Sequence, residues 1–219
     1  MATIDDSDIG PESGRHSTEA QPAAEAEPAP TGDPSLIGLP SFIVGSIALG
    51  LVLVGYVPVA AVGASLPTIL AATGLGLTIA AVWSAALNQN AVASVFGIFG
   101  GFWWSYAVLV LGLTHNWFGI DAGAVVGTQA LFLISWLAVI GMLTLATLRL
   151  PAAFTALFVL IDIALALVLV GTLQGSTMLT QLGGVVVLIF AALGVYLYFN
   201  SASLATGGSA LPLGGPVLK

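Results

Sequence analysis

The chain contains no cysteine and only three basic residues, Arg15, Arg149 and Lys219. The first absence removes disulfides, thiolate metal sites and thiol nucleophiles, and it leaves the redox compartment open. The second removes any basic patch that could neutralise nucleic-acid phosphates. Charged residues together make up 6% of the sequence, against about 25% in a soluble globular domain. Such a chain cannot cover a water-facing surface. Catalytic patterns are missing too: there is no His-Glu-x-x-His, no Gly-x-Ser-x-Gly, no P-loop and no pair of acids inside the apolar runs. Gly74-Leu75-Gly76 opens no dinucleotide fingerprint, because it lies within an apolar run rather than after a strand. Neither an enzyme nor a metal or organic cofactor site is expected.

What the chain does have is apolar sequence. Hydrophobic residues account for 58% of it and the mean hydropathy is +1.08, the composition of an integral membrane protein. The net charge of −7 divides unevenly. Seven acids before residue 33 face Arg15 alone, while Asp33, Asp121 and Asp162 are nearly balanced by Arg149 and Lys219. The acidity therefore belongs to the first 32 residues. With Pro22, Pro28 and Pro30 among Ala and Glu, they read as a disordered acidic N-terminal tail, and they lack the apolar core of a secretory signal.

Asp33-Pro34-Ser35 marks the seam. Asp33 can accept a backbone N–H at a helix start, and Pro34 suits the first turn, where a missing N–H costs nothing. From there six segments of about 20 apolar residues, the length a bilayer requires, cover residues 36–57, 67–87, 91–113, 124–148, 151–173 and 178–199. The runs are continuously apolar rather than alternating, which disfavours strands. The fold class is thus all-α, six transmembrane helices in a domain over residues 33–214, with 215–219 as a C-terminal tail. Six spans put both termini on one side, and all three basic residues fall there, so this side is expected to be cytoplasmic. Small-xxx-small pairs such as Ser41 and Gly45, Ala72 and Gly76, and Gly97 and Gly101 let helices approach closely in lipid.

Two intramembrane features carry chemistry. Asp162 sits in the middle of the fifth span, where an ionised acid costs about 2.5–3.5 kcal/mol on insertion scales. It should face the bundle interior or a wet cavity, or be protonated, either as a hydrogen-bonding group or as a proton relay. Thr155, Phe158, Asp162 and Ala166 share a helical face, expected to point inward. Aromatics cluster from Phe96 to Tyr106. Trp117 suits an interfacial anchor, whereas Phe99, among Gly97, Gly100 and Gly101, is placed to gate a pore by dewetting. His115 reads as a surface residue.

The ordered motifs resemble those of the acetate uptake transporter family, also called acetate and succinate transporters. Asp33-Pro34-Ser35-Leu36-Ile37-Gly38-Leu39 is similar to its Asn-Pro-Ala-Pro-Leu-Gly-Leu signature. Gly55-Tyr56, Gly101-Phe102-Trp103, Trp136 with Thr147-Leu148-Arg149, and Leu211-Pro212-Leu213-Gly214 follow in the family's order and spacing. The resemblance implies a hexamer with a pore through each subunit for small monocarboxylates, succinate in some members. It implies a pore mouth at Asp33, Pro34, Ser35, Gly38 and Leu39, and a constriction at Phe42, Phe99 and Ile161. Phe99 stands where the family has Tyr, Asp33 where it has Asn, and Leu36 where it has a second Pro. Acids usual in the second and sixth helices are not found here, with Ser84 and Asn200 or Ser201 nearby instead.

A small carboxylic acid is mostly anionic at neutral pH, with a pKa of about 4. An inside-negative membrane opposes its inward passage by about 2.3 kcal/mol per 100 mV. The expectation is therefore a plasma-membrane transporter moving acetate together with a proton. A passive anion channel and a non-transporting sensor or assembly protein are the alternatives.

Overall fold

A computed structural model describes residues 31–218, with Val59 and Ala60 described by backbone alone. The acidic tail expected over residues 1–32 therefore lies outside the described residues except for Thr31 and Gly32. Among the described residues six helices are long and apolar enough to cross a membrane: α1 (Ser35–Leu53), α2 (Ala61–Ala86), α3 (Asn90–Thr114), α4 (Ala122–Thr147), α5 (Ala152–Gln174) and α6 (Thr177–Ala205). No strand occurs among the described residues, and the protein is a multi-pass membrane protein.

The boundaries have local causes. The Asp33 carboxylate accepts the Ser35 N–H at 2.9 Å, as the sequence suggests, and Pro34 contributes its carbonyl to the N–H groups of Ile37 and Gly38. At the other end of α1, Gly55 takes φ +85°, which an L side chain resists. The N–H of Tyr56 then reaches Leu51 O and that of Gly55 reaches Val52 O, the paired bonds of a Schellman stop. Gly55-Tyr56 thus ends the helix by supplying the left-handed residue and the closing donor. Gly175 repeats the device after α5 with φ +63°, and Ser176 Oγ accepts the Leu179 N–H to start α6.

Two expected ends move. The second span begins before Pro67, through a 3-10 stretch Val59–Ser65 and a π-helical turn Ile69–Gly74. The sixth runs to Ala205 rather than to residue 199. At 29 residues it is about 43 Å long, more than the hydrocarbon thickness of about 30 Å. The chain after it turns back. Leu211 N–H is held by Asn200 Oδ1 at 2.9 Å, Pro212 O by the Tyr196 hydroxyl at 2.8 Å, and Leu218 N–H by Leu148 O. Residues 206–218 thus lie against the starts of α5 and the end of α4.

Around the axis the helices pack in chain order, α1 against α2, α2 against α3, α4 against α5, α5 against α6, and α6 back against α1. Without water exclusion between apolar faces, close approach and dispersion supply the cohesion. The small residues do this where the sequence places them. A methyl group at Gly45 would strike Thr73, and one at Gly76 would strike Ser41, so α1 and α2 touch nearly backbone to backbone. Gly97 and Gly101 differ: both are exposed and neither meets a close neighbour. The α3–α4 junction is the loosest and is filled by rings, with Phe102 5.7 Å from Phe132 and 5.5 Å from Trp136.

Candidate functional site

Between the helices, among the described residues, lie two partly open cavities of about 290 and 250 Å³. The smaller, or near, cavity lies at the end holding Ser35, Ala91 and Leu150. The larger, or far, cavity lies toward Leu53, Thr114, Thr172 and Thr180. The two share Phe42 and Phe99 and no other lining residue. These side chains are 5% exposed and stand edge to face at 5.1 Å and 68°. Phe190 stacks on Phe42 at 5.7 Å, and Phe158 meets Phe99 edge to face at 5.5 Å. Four rings from α6, α1, α3 and α5 therefore form a continuous belt between the cavities.

Each expected site residue can now be located. Phe42, Phe99 and Ile161 all border the far cavity, with Ile161 on that side only. Of the motif at the start of α1, Ser35 and Leu39 line the near cavity. Pro34 is fully buried, and Gly38 lies beneath the ring of Phe96, which borders the same cavity. Asp33 is half-buried, borders neither cavity and serves the helix start. His115 and Trp117 are exposed at the far end, their rings stacked at 5.7 Å.

Asp162 is the residue that the helical-face argument aims differently. Thr155 and Phe158 are buried as expected. The Asp162 carboxyl instead lies in the α4–α5 seam, its Oδ2 2.6 Å from Thr144 Oγ1. It belongs to neither set of cavity-lining residues. The seam carries further hydroxyls, Thr147 Oγ1 donating to Thr144 O and Thr155 Oγ1 to Thr147 O.

Sequence reasoning passed over Phe190 entirely and cited Phe158 only for its helical face. An aromatic deep inside a span, away from both interfaces, was the available signal for each. Neither cavity is lined by Asp, Glu, His, Lys or Arg. The polar groups are Gln129, Tyr106, Thr114, Thr172, Thr180 and Trp103 in the far cavity, and Ser35 in the near one. Two chambers on either side of an uncharged aromatic belt can hold a small solute and strip it of water. They have no group suited to bond-making chemistry.

Residues 16–210 match the GPR1/FUN34/yaaH family. Ammonia transport outward protein 2 of Saccharomyces cerevisiae is 29% identical over 132 residues, 56% of this chain and 44% of that protein. Acetate permease A of Emericella nidulans is 30% identical over 110 residues, 46% of this chain and 36% of that one. The chain thus spans less than half the length of these curated relatives. A solved structure of the bacterial acetate channel SatP superposes with a TM-score of 0.74 at 22% identity, over 84% of this chain and 100% of that one. This likeness establishes the fold, and none of the three proteins is described as an enzyme. With the family match over most of its length and the six-helix fold in agreement, the chain belongs to the GPR1/FUN34/yaaH family.

Proposed function

We propose that the chain is a membrane pore for acetate and similar small monocarboxylates, with the Phe42–Phe99 pair as its constriction and Ile161 at the far edge. The observation that carries this reading is a pair of cavities sharing those two rings alone. The relative described as an acetate permease supports the substrate class. A passage ringed by phenyl groups admits little water and gates by dewetting. A two-carbon acid is small enough to cross with few waters, and its methyl group suits the rings.

The absence of Asp, Glu and His from both cavity walls supports passive passage, of the anion or of the neutral acid, over a proton carried by the protein. The proton-coupled alternative would have to run through Asp162. Labelled-acetate uptake into proteoliposomes, with and without an imposed pH gradient, tests the proposal: uptake is expected under both conditions. No acetate movement under either would sink it. Ammonia is a second reading, favoured by the relative described as an ammonia transport protein and by the same uncharged path. Ammonium chloride in the same assay separates the two. We also infer a plasma-membrane location with both termini cytoplasmic, from the three basic residues, and a hexameric assembly, from the motif resemblance.

A further inference from the structure

We propose that the indole N–H of Trp103 is the hydrogen-bond donor that receives the carboxylate of the permeating acid on the far side of the ring belt. This rests on the reading of the path as a carboxylate pore. Four buried polar side-chain atoms find no partner among the described residues: Ser65 Oγ, Thr73 Oγ1, Trp103 Nε1 and Asp162 Oδ1. A buried donor left unpaired is unfavourable, and each one has a cause, a bound water, ion or solute among them. Three of the four lie away from the cavities. Ser65 closes the 3-10 stretch at the start of α2, Thr73 is wedged against Gly45, and Asp162 is engaged with Thr144 through its other oxygen. Only Trp103 also lines a cavity.

The position of Trp103 fits the role. It is 1% exposed, and its ring is held edge-on by Phe102 at 5.2 Å and Tyr106 at 6.3 Å. It follows Phe99 by four residues on α3, one turn or about 6 Å farther along the same face. Tyr106 and Val110 continue that face, and all four border the far cavity. A solute halted at the rings from the far side is therefore about one helical turn from Trp103, in the cavity that residue lines. An indole N–H donates and cannot accept, so it recognises oxygen acceptors and offers nothing to an ammonium ion. A hydrogen bond to a carboxylate is also stronger than one to water. Trp103 would thus be a specificity-determining residue, recognising the acid before the rings dehydrate it.

The test is a spectrum of protein labelled with ¹⁵N at its indoles and held in nanodiscs, with the Trp103 resonance assigned by its loss in Trp103→Phe. Sodium acetate is expected to move that N–H resonance downfield to saturation, while sodium chloride and ammonium chloride at equal ionic strength leave it in place. The Phe variant keeps a ring and loses the donor. Its half-saturating acetate concentration for flux should rise about tenfold, equivalent to about 1.4 kcal/mol. A resonance that ignores acetate in a preparation that transports acetate overturns the proposal. So does a Phe variant that melts and saturates like the unaltered protein. If the variant does not fold, the titration of the unaltered protein decides alone, with a saturating shift supporting the donor and a static resonance overturning it. A moving resonance without any acetate flux would keep the binding role and overturn the pore reading instead.

Discussion

The two cavities are nearly equal in volume and unlike in chemistry. The far one offers Trp103, Tyr106, Gln129 and three threonines along its wall. The near one offers Ser35 alone, among five phenylalanines and aliphatic side chains. A carboxylate approaching from the far side can exchange water for fixed hydrogen bonds before it reaches Phe42 and Phe99. From the near side it would lose water with almost nothing in return, and polar groups stripped of partners are expensive. On the proposed pore reading, the rings would separate a chamber that binds from a chamber that only guides. The lining would then give the proposed path a direction, although it carries no charge.

Phe42→Ala should break the comparison most severely, because it removes the ring that touches both Phe99 and Phe190 and merges the chambers. Acetate flux is expected to rise about tenfold or more, the effect of taking 1.4 kcal/mol off a barrier. Carboxylates larger than acetate should pass as well. The variant should also melt earlier, since truncating a core Phe costs about 3–5 kcal/mol. Flux and melting in the same preparation check this, and an unchanged size limit would place the constriction elsewhere.

A narrower pair of substitutions measures the asymmetry itself. Gln129→Leu strips a hydrogen-bonding group from the far wall at constant volume. It should raise half-saturating acetate about three- to fivefold, the scale of one hydrogen bond of about 1 kcal/mol. Ser35→Ala, in the near chamber, should change it by less than about twofold, near the lower end of the same range. Equal effects, or a larger one at Ser35, would remove the directional reading. Phe99→Tyr sharpens the comparison from the middle by placing a hydroxyl on the shared ring. Acetate flux should rise about twofold, as expected of one donor gained in a dry passage, and the effect should vanish for a neutral solute of similar size.

Sequence reasoning reached the fold because bilayer length and continuous apolarity are local properties. The Asp33 cap and the Gly55-Tyr56 stop were legible for the same reason, being interactions over a few residues. The bent start of α2 was not, since a largely apolar stretch with only Ser65, Thr68 and Thr73 to break it has no periodicity to distinguish 3-10, π and α turns. Phe158 and Phe190 escaped notice as members of the ring row because their pairing with Phe99 and Phe42 joins helices distant in sequence. The motif resemblance implied Phe42 and Phe99, yet only the cavity lining shows that these two alone divide the chambers. Trp103 was legible as a motif residue, but its unpaired donor is a property of packing.

Asp162 decides whether any group outside the chambers enters the comparison. It follows Ile161, which borders the far cavity, and one step along a helix turns a side chain by about 100°. That step carries the carboxyl into the seam against Thr144, whose Oγ1 lies 2.6 Å from Asp162 Oδ2 and 3.0 Å from Ile140 O. Asp162→Asn keeps an oxygen for Thr144 and removes the ionisable proton. The expected result is acetate flux within about twofold of the unaltered protein, a pH profile that superposes on the original, and a double-mutant coupling with Thr144→Val of about 1 kcal/mol in melting experiments. A structural hydrogen bond accounts for all three. If instead the Asn variant keeps its melting temperature but loses the pH dependence of flux, then a proton held in the α4–α5 seam is driving solute through chambers it does not touch. The passive reading would give way to the proton-coupled one.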